Sequence, residues 1–225
     1  MTTIVFDIET VGVDFNQLDA GSQAALMKNA RTEEDQAEVK NSLGLYPLTG
    51  MIVAIAMIEC ESGSGAVFFQ SPDPAVKSFQ EDATAYTVCT EREILENFWR
   101  RIRGCQRFVT FNGRGFDCPY ISIRSGILRV KPTRDLMPYR YDARAHVDLF
   151  DQLTFYGSFR RGFSLHMWTQ AFGIKSPKSD GVSGDQVQDL FRRGEGARIA
   201  RYCMADVQAT RQLYDCWQQF IKVEG

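Results

Sequence analysis

Four acidic residues and one tyrosine are the side chains of this sequence that could do chemistry together. The segments IVFDIET, FNGRGFDCPYI and YCMADV contain them: Asp7 and Glu9, then Asp117, then Tyr202 and Asp206. Each segment places carboxylates beside an apolar run, where burying an ionised carboxylate costs on the order of several kcal/mol unless a cation or donor compensates it. Oxygen-only ligand sets suit Mg²⁺ or Mn²⁺, which also bind substrate phosphate oxygens. The segments therefore predict a metal-dependent phosphoryl-transfer site.

The first two segments are predicted to lie at the ends of buried strands. The run TTIVF at 2–6 predicts a strand, and we expect Asp7 and Glu9 to project from its end. Their i, i+2 spacing places both side chains on one face. RFVTFN at 107–112 predicts another buried strand, with Asp117 at the following strand-to-helix junction.

The third segment lies in a long predicted helix at 197–221. Tyr202 and Asp206 are i, i+4 neighbours and share one face of that helix. Two strands and one helix could thus bring all five side chains to one point.

The remaining periodicity predicts an α/β fold in which a mixed β-sheet is flanked by α-helices. Strands come early, and helices gather toward the C-terminus. We expect one domain over residues 1–225, with a helical insertion at 16–43. Further strands are predicted at 51–59 and 66–70, a short strand or helix start at 146–153, and helices at 91–104, 116–128, 164–174 and 185–193.

Composition narrows the class of protein. The chain has 225 residues, of which 44% are hydrophobic, and no apolar run approaches the roughly 18 residues that a membrane span needs. The N-terminus predicts a strand rather than a signal peptide, so no membrane partner is expected. The six cysteines form no CxxC pair or Cys/His cluster, which argues against zinc. Lone thiols without a secretion signal predict a cytoplasmic protein.

Charge is distributed unevenly along the chain. The net charge is −2, yet residues 1–97 hold 5 Lys/Arg and 16 Asp/Glu, whereas residues 98–201 hold 19 and 9. This asymmetry is expected when one face meets a polyanion such as nucleic acid. The alternative is that the arginines are scattered over solvated surfaces.

The three segments resemble the three exonuclease motifs of the DEDD superfamily of 3′–5′ exonucleases, which has a ribonuclease H-like fold. The resemblance is strongest to the proofreading exonuclease domain of family B DNA polymerases. FDIET at 6–10 is similar to the first motif of that domain. Asn112–Tyr120 is similar to the second motif, N-x-x-x-F-D-x-P-Y, and Tyr202–Asp206 is similar to the third, Y-C-x-x-D. The tyrosine form (DEDDy) is indicated, because Arg201 stands where the histidine form carries His. The resemblance spans residues 4 to about 214 and implies a stand-alone exonuclease, since 225 residues would not hold the polymerase palm or fingers.

The resemblance implies two divalent metal ions, Mg²⁺ or Mn²⁺, and a role for each side chain. Asp7 would bridge both ions, and Glu9 with Asp206 would complete the site that binds the attacking water. Asp117 would hold the second ion, partly through water. The hydroxyl of Tyr202 would orient the water.

Substrate contacts are also implied by the resemblance. The backbone near Thr10 would approach the terminal nucleotide, Asn112 would hydrogen-bond near the scissile strand, and Phe116 would stack on a terminal base. Two alternatives stay open, namely core packing for Phe116 and a turn-forming role for Asn112.

Five further residues have two interpretations each. His146 and Asp148 could form an auxiliary pair near the site, although a structural role is favoured for His146 and for His166. Lys175 and Lys178 lie in a loop that could touch phosphates or simply be solvated.

The function expected from these patterns is 3′–5′ exonucleolytic hydrolysis of single-stranded DNA ends, releasing nucleoside monophosphates, in repair or end processing. An exoribonuclease acting on RNA 3′ ends is one alternative. A non-catalytic nucleic-acid-binding module is another, and the presence of all five catalytic residue types argues against it.

Overall fold

The computed structural model describes residues 2–175 and 184–223, without the side chain of residue 185. Lys178 therefore lies outside the described residues. The strands are β1 Thr3–Gly12, β2 Gly50–Glu59, β3 Gly65–Phe69, β4 Phe79–Glu81, β5 Thr84–Val88, β6 Arg107–Thr110 and β7 His146–Asp148. The α-helices are α1 Ala20–Met27, α2 Glu33–Asn41, α3 Glu91–Ile102, α4 Asp117–Ile127, α5 Leu149–Leu153, α6 Leu165–Ala171, α7 Val187–Arg192 and α8 Gly196–Phe220.

The seven strands form one mixed sheet in the order β4-β5-β3-β2-β1-β6-β7. β2 pairs antiparallel with β1 and β3, whereas β6 pairs parallel with β1 and β7. Helices flank both faces of the sheet. The predicted ribonuclease H-like α/β architecture is confirmed. Among the described residues, no helix has the length and apolarity to cross a bilayer.

Alternation along β1 divides the core into two layers. Val5 and Val11 pack with α8, whereas Ile4, Phe6 and Ile8 pack with α3 and α4 on the opposite face. The side chains at positions 7 and 9 therefore share the α8 face of the strand.

Helix α3 shows how sequence pattern and structure agree. Its residues Ile94, Leu95, Phe98, Trp99 and Ile102 are buried, as the amphipathic spacing predicts. A capping box formed by the residues at positions 90 and 93 begins the helix.

The first strand differs from its prediction, because Asp7 and Glu9 lie within β1 rather than at its end. β2 pairs along β1 as far as Gly12, with an irregularity between Glu9 and Thr10. On the other side, β6 pairs with β1 only as far as Val5. One edge of the strand is therefore open beside the carboxylates, although the strand itself continues.

Two other differences concern short elements. β4 and β5 had no counterpart in the sequence prediction, since they are only 3 and 5 residues long. The segment at 146–153, which predicted either a strand or a helix start, contains both β7 and α5.

A hydroxyl pair fixes the short 3₁₀ turn Leu43–Leu45 that follows α2. The carbonyl of Gly44 accepts hydrogen bonds from Thr10 Oγ1 at 2.7 Å and Tyr120 Oη at 3.0 Å. Gly50 lies against the same group, and a Cβ at Gly50 would overlap the Tyr120 hydroxyl. We call the Gly44 carbonyl with its two hydroxyl donors the Gly44 anchor.

We expect Gly50→Ala to lower the free energy of unfolding by about 1–3 kcal/mol, because the added methyl overpacks a buried site. Urea denaturation measures this loss. Gly104→Ala is the control, since a Cβ there meets nothing within 4 Å, and it should change stability by less than about 0.5 kcal/mol. Adding Tyr120→Phe to Gly50→Ala should restore part of the loss. Equal stabilities of the two alanine variants would contradict the prediction.

Candidate active site

The carboxylates predicted from three separate segments converge on one place. Asp7 and Glu9 lie on the face of β1 that packs against α8, and α8 supplies Asp206. Asp117 is the first residue of α4. The carboxylates of Asp117, Asp206 and Glu9 each raise the pKa of Asp7, after the larger effect of its burial.

Like charges dominate the electrostatics of this cluster. The pKa of Glu9 is raised mainly by burial, since the residue is only 9% exposed, and further by the charges of Asp206 and Asp117. Burial also raises the pKa of Asp117 to about 7. Like-charged, desolvated carboxylates favour either a proton or a bound cation. Oxygen ligands of this kind suit Mg²⁺ or Mn²⁺, so the donor set fits the predicted ions.

The backbone around Asp117 positions its carboxylate. Asp117 Oδ1 accepts a hydrogen bond from the backbone N–H of Ile8 at 3.1 Å, which joins α4 to β1. The preceding turn begins at Asn112, whose φ of 60° is left-handed. Gly113 is required in this turn, because a Cβ there would overlap the Thr110 side chain.

Tyr202 lies beside the cluster and stays protonated. The pKa of Tyr202 is raised well above its usual value, mainly by burial and then by the charge of Asp206. A hydrogen bond between its hydroxyl and Asp206 contributes in the same direction. In the metal-free protein the tyrosine therefore keeps its proton and can donate a hydrogen bond.

Cys203 also contacts the cluster. Its Sγ lies 3.5 Å from the carbonyl oxygen of Asp7 and 3.9 Å from Asp7 Oδ2. Potential ligand atoms of Asp7, Glu9 and Cys203 all lie within 4.8 Å of one another. Burial raises the pKa of the Cys203 thiol, so it remains a neutral, weak donor.

Two depressions open beside the β1 carboxylates. A cleft of about 270 Å³ is lined by Asp7, Tyr202 and Asp206, together with Phe111 and His166. We call it the carboxylate cleft. The sequence favoured a structural role for His166, and its place on the cleft wall was not predicted.

The second depression has a volume of about 390 Å³ and lies on the Glu9 side. Thr10, Leu45, Phe116 and Gln188 contribute to its lining. Gln188 Oε1 accepts the backbone N–H of Gly12 at 2.7 Å, a contact that no local sequence pattern indicated.

The three predicted substrate contacts take different positions. The hydroxyl of Thr10 donates to the Gly44 carbonyl. Thr10 also lines the depression on the Glu9 side, so its backbone lies beside Glu9. Phe116 is half-buried, 5.4 Å from the Tyr120 ring centroid, and lines the Glu9 depression. Asn112 is exposed and lines a third depression, outside the carboxylate cleft. Their substrate roles stay predictions.

His146 and Asp148 do not act as a pair. His146 Nε2 lies 2.8 Å from Thr110 Oγ1, and burial lowers the histidine pKa to about 3. Asp148 accepts the backbone N–H groups of Asn112, Arg114 and Phe150, at 2.9, 2.8 and 3.0 Å. The aspartate therefore shapes the turn that leads to Asp117, and the histidine is a neutral core residue.

A family profile described as "Predicted 3'-5' exonuclease related to the exonuclease domain of PolB" matches residues 49–221. The chain belongs to this family. The match includes the turn before α4 and the whole of the α8 motif, so the predicted family resemblance is confirmed.

Curated relatives of this exonuclease family member include the DNA polymerases of two organisms. The DNA polymerase of Desulfurococcus sp. (strain Tok) is 30% identical over 161 residues, which cover 62% of this chain and 19% of the polymerase. The DNA polymerase of Pyrococcus horikoshii is 27% identical over 160 residues, which cover 61% of this chain and 12% of the polymerase. The chain thus spans about a fifth or less of the relatives it matches.

A solved structure shares the fold. The family B DNA polymerase from the hyperthermophilic archaeon Pyrobaculum calidifontis superposes with a TM-score of 0.62 at 19% sequence identity. The match covers 96% of this chain and 24% of the polymerase chain. The exonuclease family member and that polymerase therefore have one domain architecture in common.

We expect divalent cations to stabilise this protein more strongly as pH rises. In the metal-free protein the raised pKa values of Asp7, Glu9 and Asp117 mean that the folded state holds protons which the unfolded chain releases above about pH 4. Stability without metal should therefore fall as pH rises from about 4 through 7. A bound cation replaces these protons and offsets the repulsion.

Thermal melts in EDTA and in Mn²⁺ at pH 5.5 and 8 test this expectation. The increase in Tm should be larger at pH 8. Asp7→Asn should melt higher than the wild type in EDTA and respond little to Mn²⁺. Asp142→Asn removes a half-buried carboxylate paired with Arg144 and should respond to Mn²⁺ like the wild type. An undiminished Mn²⁺ response in Asp7→Asn would contradict the assignment.

Proposed function

We propose that the protein hydrolyses the terminal phosphodiester bonds of single-stranded DNA from the 3′ end and releases nucleoside monophosphates, using two divalent ions, Mg²⁺ or Mn²⁺. One observation carries the proposal, the convergence of Asp7, Glu9, Asp117 and Asp206 from three elements. The described groups that shift the pKa of Glu9 include no lysine or arginine. Cations from solution are then the compensation for the buried charge.

The geometry supports a distinct metal-binding role for each carboxylate. Bound divalent ions would activate a water and stabilise charge on the leaving 3′ oxygen. Asp7 lies among the other three carboxylates and would contact both ions. Glu9 and Asp206 would hold the ion on the water side, and Asp117, fixed by the N–H of Ile8, the other.

Tyr202 would orient the attacking water. Its hydroxyl forms a hydrogen bond with Asp206 and would serve as a hydrogen-bond donor or a steric guide. Proton removal from the water would fall to the ions, which lower the pKa of bound water.

DNA is favoured over RNA because the curated relatives are DNA polymerases. An unpaired strand is favoured because a terminal phosphodiester has to reach carboxylates that lie within a sheet strand and on the facing helix. Cleavage of RNA at a higher rate would replace DNA with RNA as the substrate and leave the chemistry unchanged.

Degradation of matched 5′-labelled single-stranded DNA and RNA in Mg²⁺, Mn²⁺ or EDTA tests the proposal. We expect a metal-dependent ladder that shortens from the 3′ end of DNA. Asp7→Asn should lose well over 100-fold in rate, because changes even to outer-shell partners of metal ligands cost about 10–100-fold. Asp215→Asn alters an exposed carboxylate on the same helix as Asp206 and should cleave normally. No ladder on either polymer would overturn the function.

Tyr202→Phe should lower kcat by about 10- to 100-fold, because loss of one positioning contact misplaces the water. The Mn²⁺-induced increase in Tm should remain, since the carboxylates are intact. An unchanged kcat would remove Tyr202 from the mechanism.

A further inference from the structure

Exposed aromatic side chains gather on one side of the active site. Tyr139 and Tyr141 are 73% and 59% exposed, and Phe155 is 63% exposed. Ring centroids of Tyr139 and Tyr141 lie 5.6 Å apart, and those of Tyr141 and Tyr156 lie 4.7 Å apart. We call Tyr139, Tyr141 and Tyr156 the tyrosine tract. Contiguous exposed apolar surface of this kind marks an interaction site.

The tyrosine tract continues the surface of the carboxylate cleft. Phe111 lines that cleft together with Asp7 and Tyr202. Its ring meets Phe150 edge-on at a centroid distance of 5.9 Å. Phe150 and Tyr139 then line one depression of about 530 Å³. A strand leaving the cleft past Phe111 would therefore reach the tract directly.

Arg114 connects the backbone at Tyr139 to the turn that leads to Asp117. Its backbone N–H donates to Asp148, whereas its guanidinium donates to the carbonyls of Pro138 at 2.9 Å and Tyr139 at 3.3 Å. The backbone that carries Tyr139 and the turn that leads to Asp117 are thus joined through one residue.

The other end of the tract carries an unusual backbone. Phe155 and Tyr156 have φ angles of 50° and 56°, in the left-handed region that aromatic residues disfavour. Gln152 Nε2 donates to the Tyr156 hydroxyl at 2.7 Å and holds the ring in place. Because Phe155 is exposed, core packing does not explain this strain, and strained exposed residues cluster at ligand sites.

Charge around the tract suits a polyanion. Residues 129–163 hold seven Lys/Arg against four Asp/Glu, and the acids at positions 148 and 151 are buried. Arg160 and Arg161 are exposed, and neither forms an ion pair with a carboxylate of the described residues. Single-stranded nucleic acid is the polyanion whose bases also stack on aromatic rings.

We propose that the tyrosine tract binds the unpaired nucleotides that lie 5′ of the scissile phosphate. The rings stack on their bases, and Arg160 and Arg161 contact their phosphates. This proposal rests on the proposed function, because it places the 3′ end of the same strand in the carboxylate cleft. A substrate too short to leave the cleft would gain nothing from the tract.

The test compares long and short oligonucleotides with Tyr139→Ala/Tyr141→Ala. Binding of labelled dT12 in EDTA, followed by fluorescence anisotropy, should weaken at least about tenfold, since stacking on an aromatic side chain is sequence-tolerant and substantial. The ratio of kcat/KM for dT12 to that for dT3 should fall by a similar factor. Tyr139→Phe/Tyr141→Phe should restore both readouts to within about twofold, because the rings remain.

Phe220→Ala is the matched control. Phe220 is exposed at the end of α8, and a rise of about 1.5 Å per residue places it about 21 Å along the helix from Asp206. It should bind and cleave dT12 like the wild type. Unchanged dT12 binding in the double alanine variant would overturn the tract and leave the exonuclease intact, with a protein partner as the remaining occupant. Absence of cleavage in the wild type would overturn the function, while the EDTA binding data would still decide the tract.

Discussion

Repulsion among buried carboxylates is the constraint on which the rest of the structure depends. Asp7 is surrounded by three like charges in a partly desolvated position, and such a cluster lowers stability whenever all of its members are ionised. The fold tolerates it because the sheet and α8 around it are extensively packed. Bound divalent cations would relieve this repulsion, so the same charges that lower metal-free stability would favour cation binding.

The packing around this cluster shows how the fold holds it. On one side β1 pairs with β2 from Ile4 to Gly12, with an irregularity between Glu9 and Thr10, while β6 leaves the other edge open past Val5. This asymmetry supplies both rigidity and access at the same carboxylates. Asp148, at the end of β7, adds rigidity, because three backbone N–H groups donate to its carboxylate and fix the turn before α4.

Most of the site was predictable because its parts are local in sequence. An i, i+2 pair on a strand and an i, i+4 pair on a helix define shared faces without knowledge of the fold. The length of β1 was not predictable, because polar residues at 7 and 9 resemble a strand end and only the pairing with β2 extends it. Gln188 and His166 reach the site through tertiary packing, and their neighbours in sequence give no signal of it. His146 was ambiguous until its burial and its contact with Thr110 were known.

The Gly44 anchor has a consequence for how this protein can diverge. Helices α1 and α2 contain no buried residue, so little in the core constrains their sequences. The turn that follows them is held by hydroxyls from β1 and α4, which belong to the sheet and its helical layer. Asn41, the last residue of α2, lines the depression beside Glu9 and is constrained together with the turn. The part of the insertion before Asn41 can therefore change length or composition while that wall keeps its shape, and this surface is open to new partners without displacing Glu9.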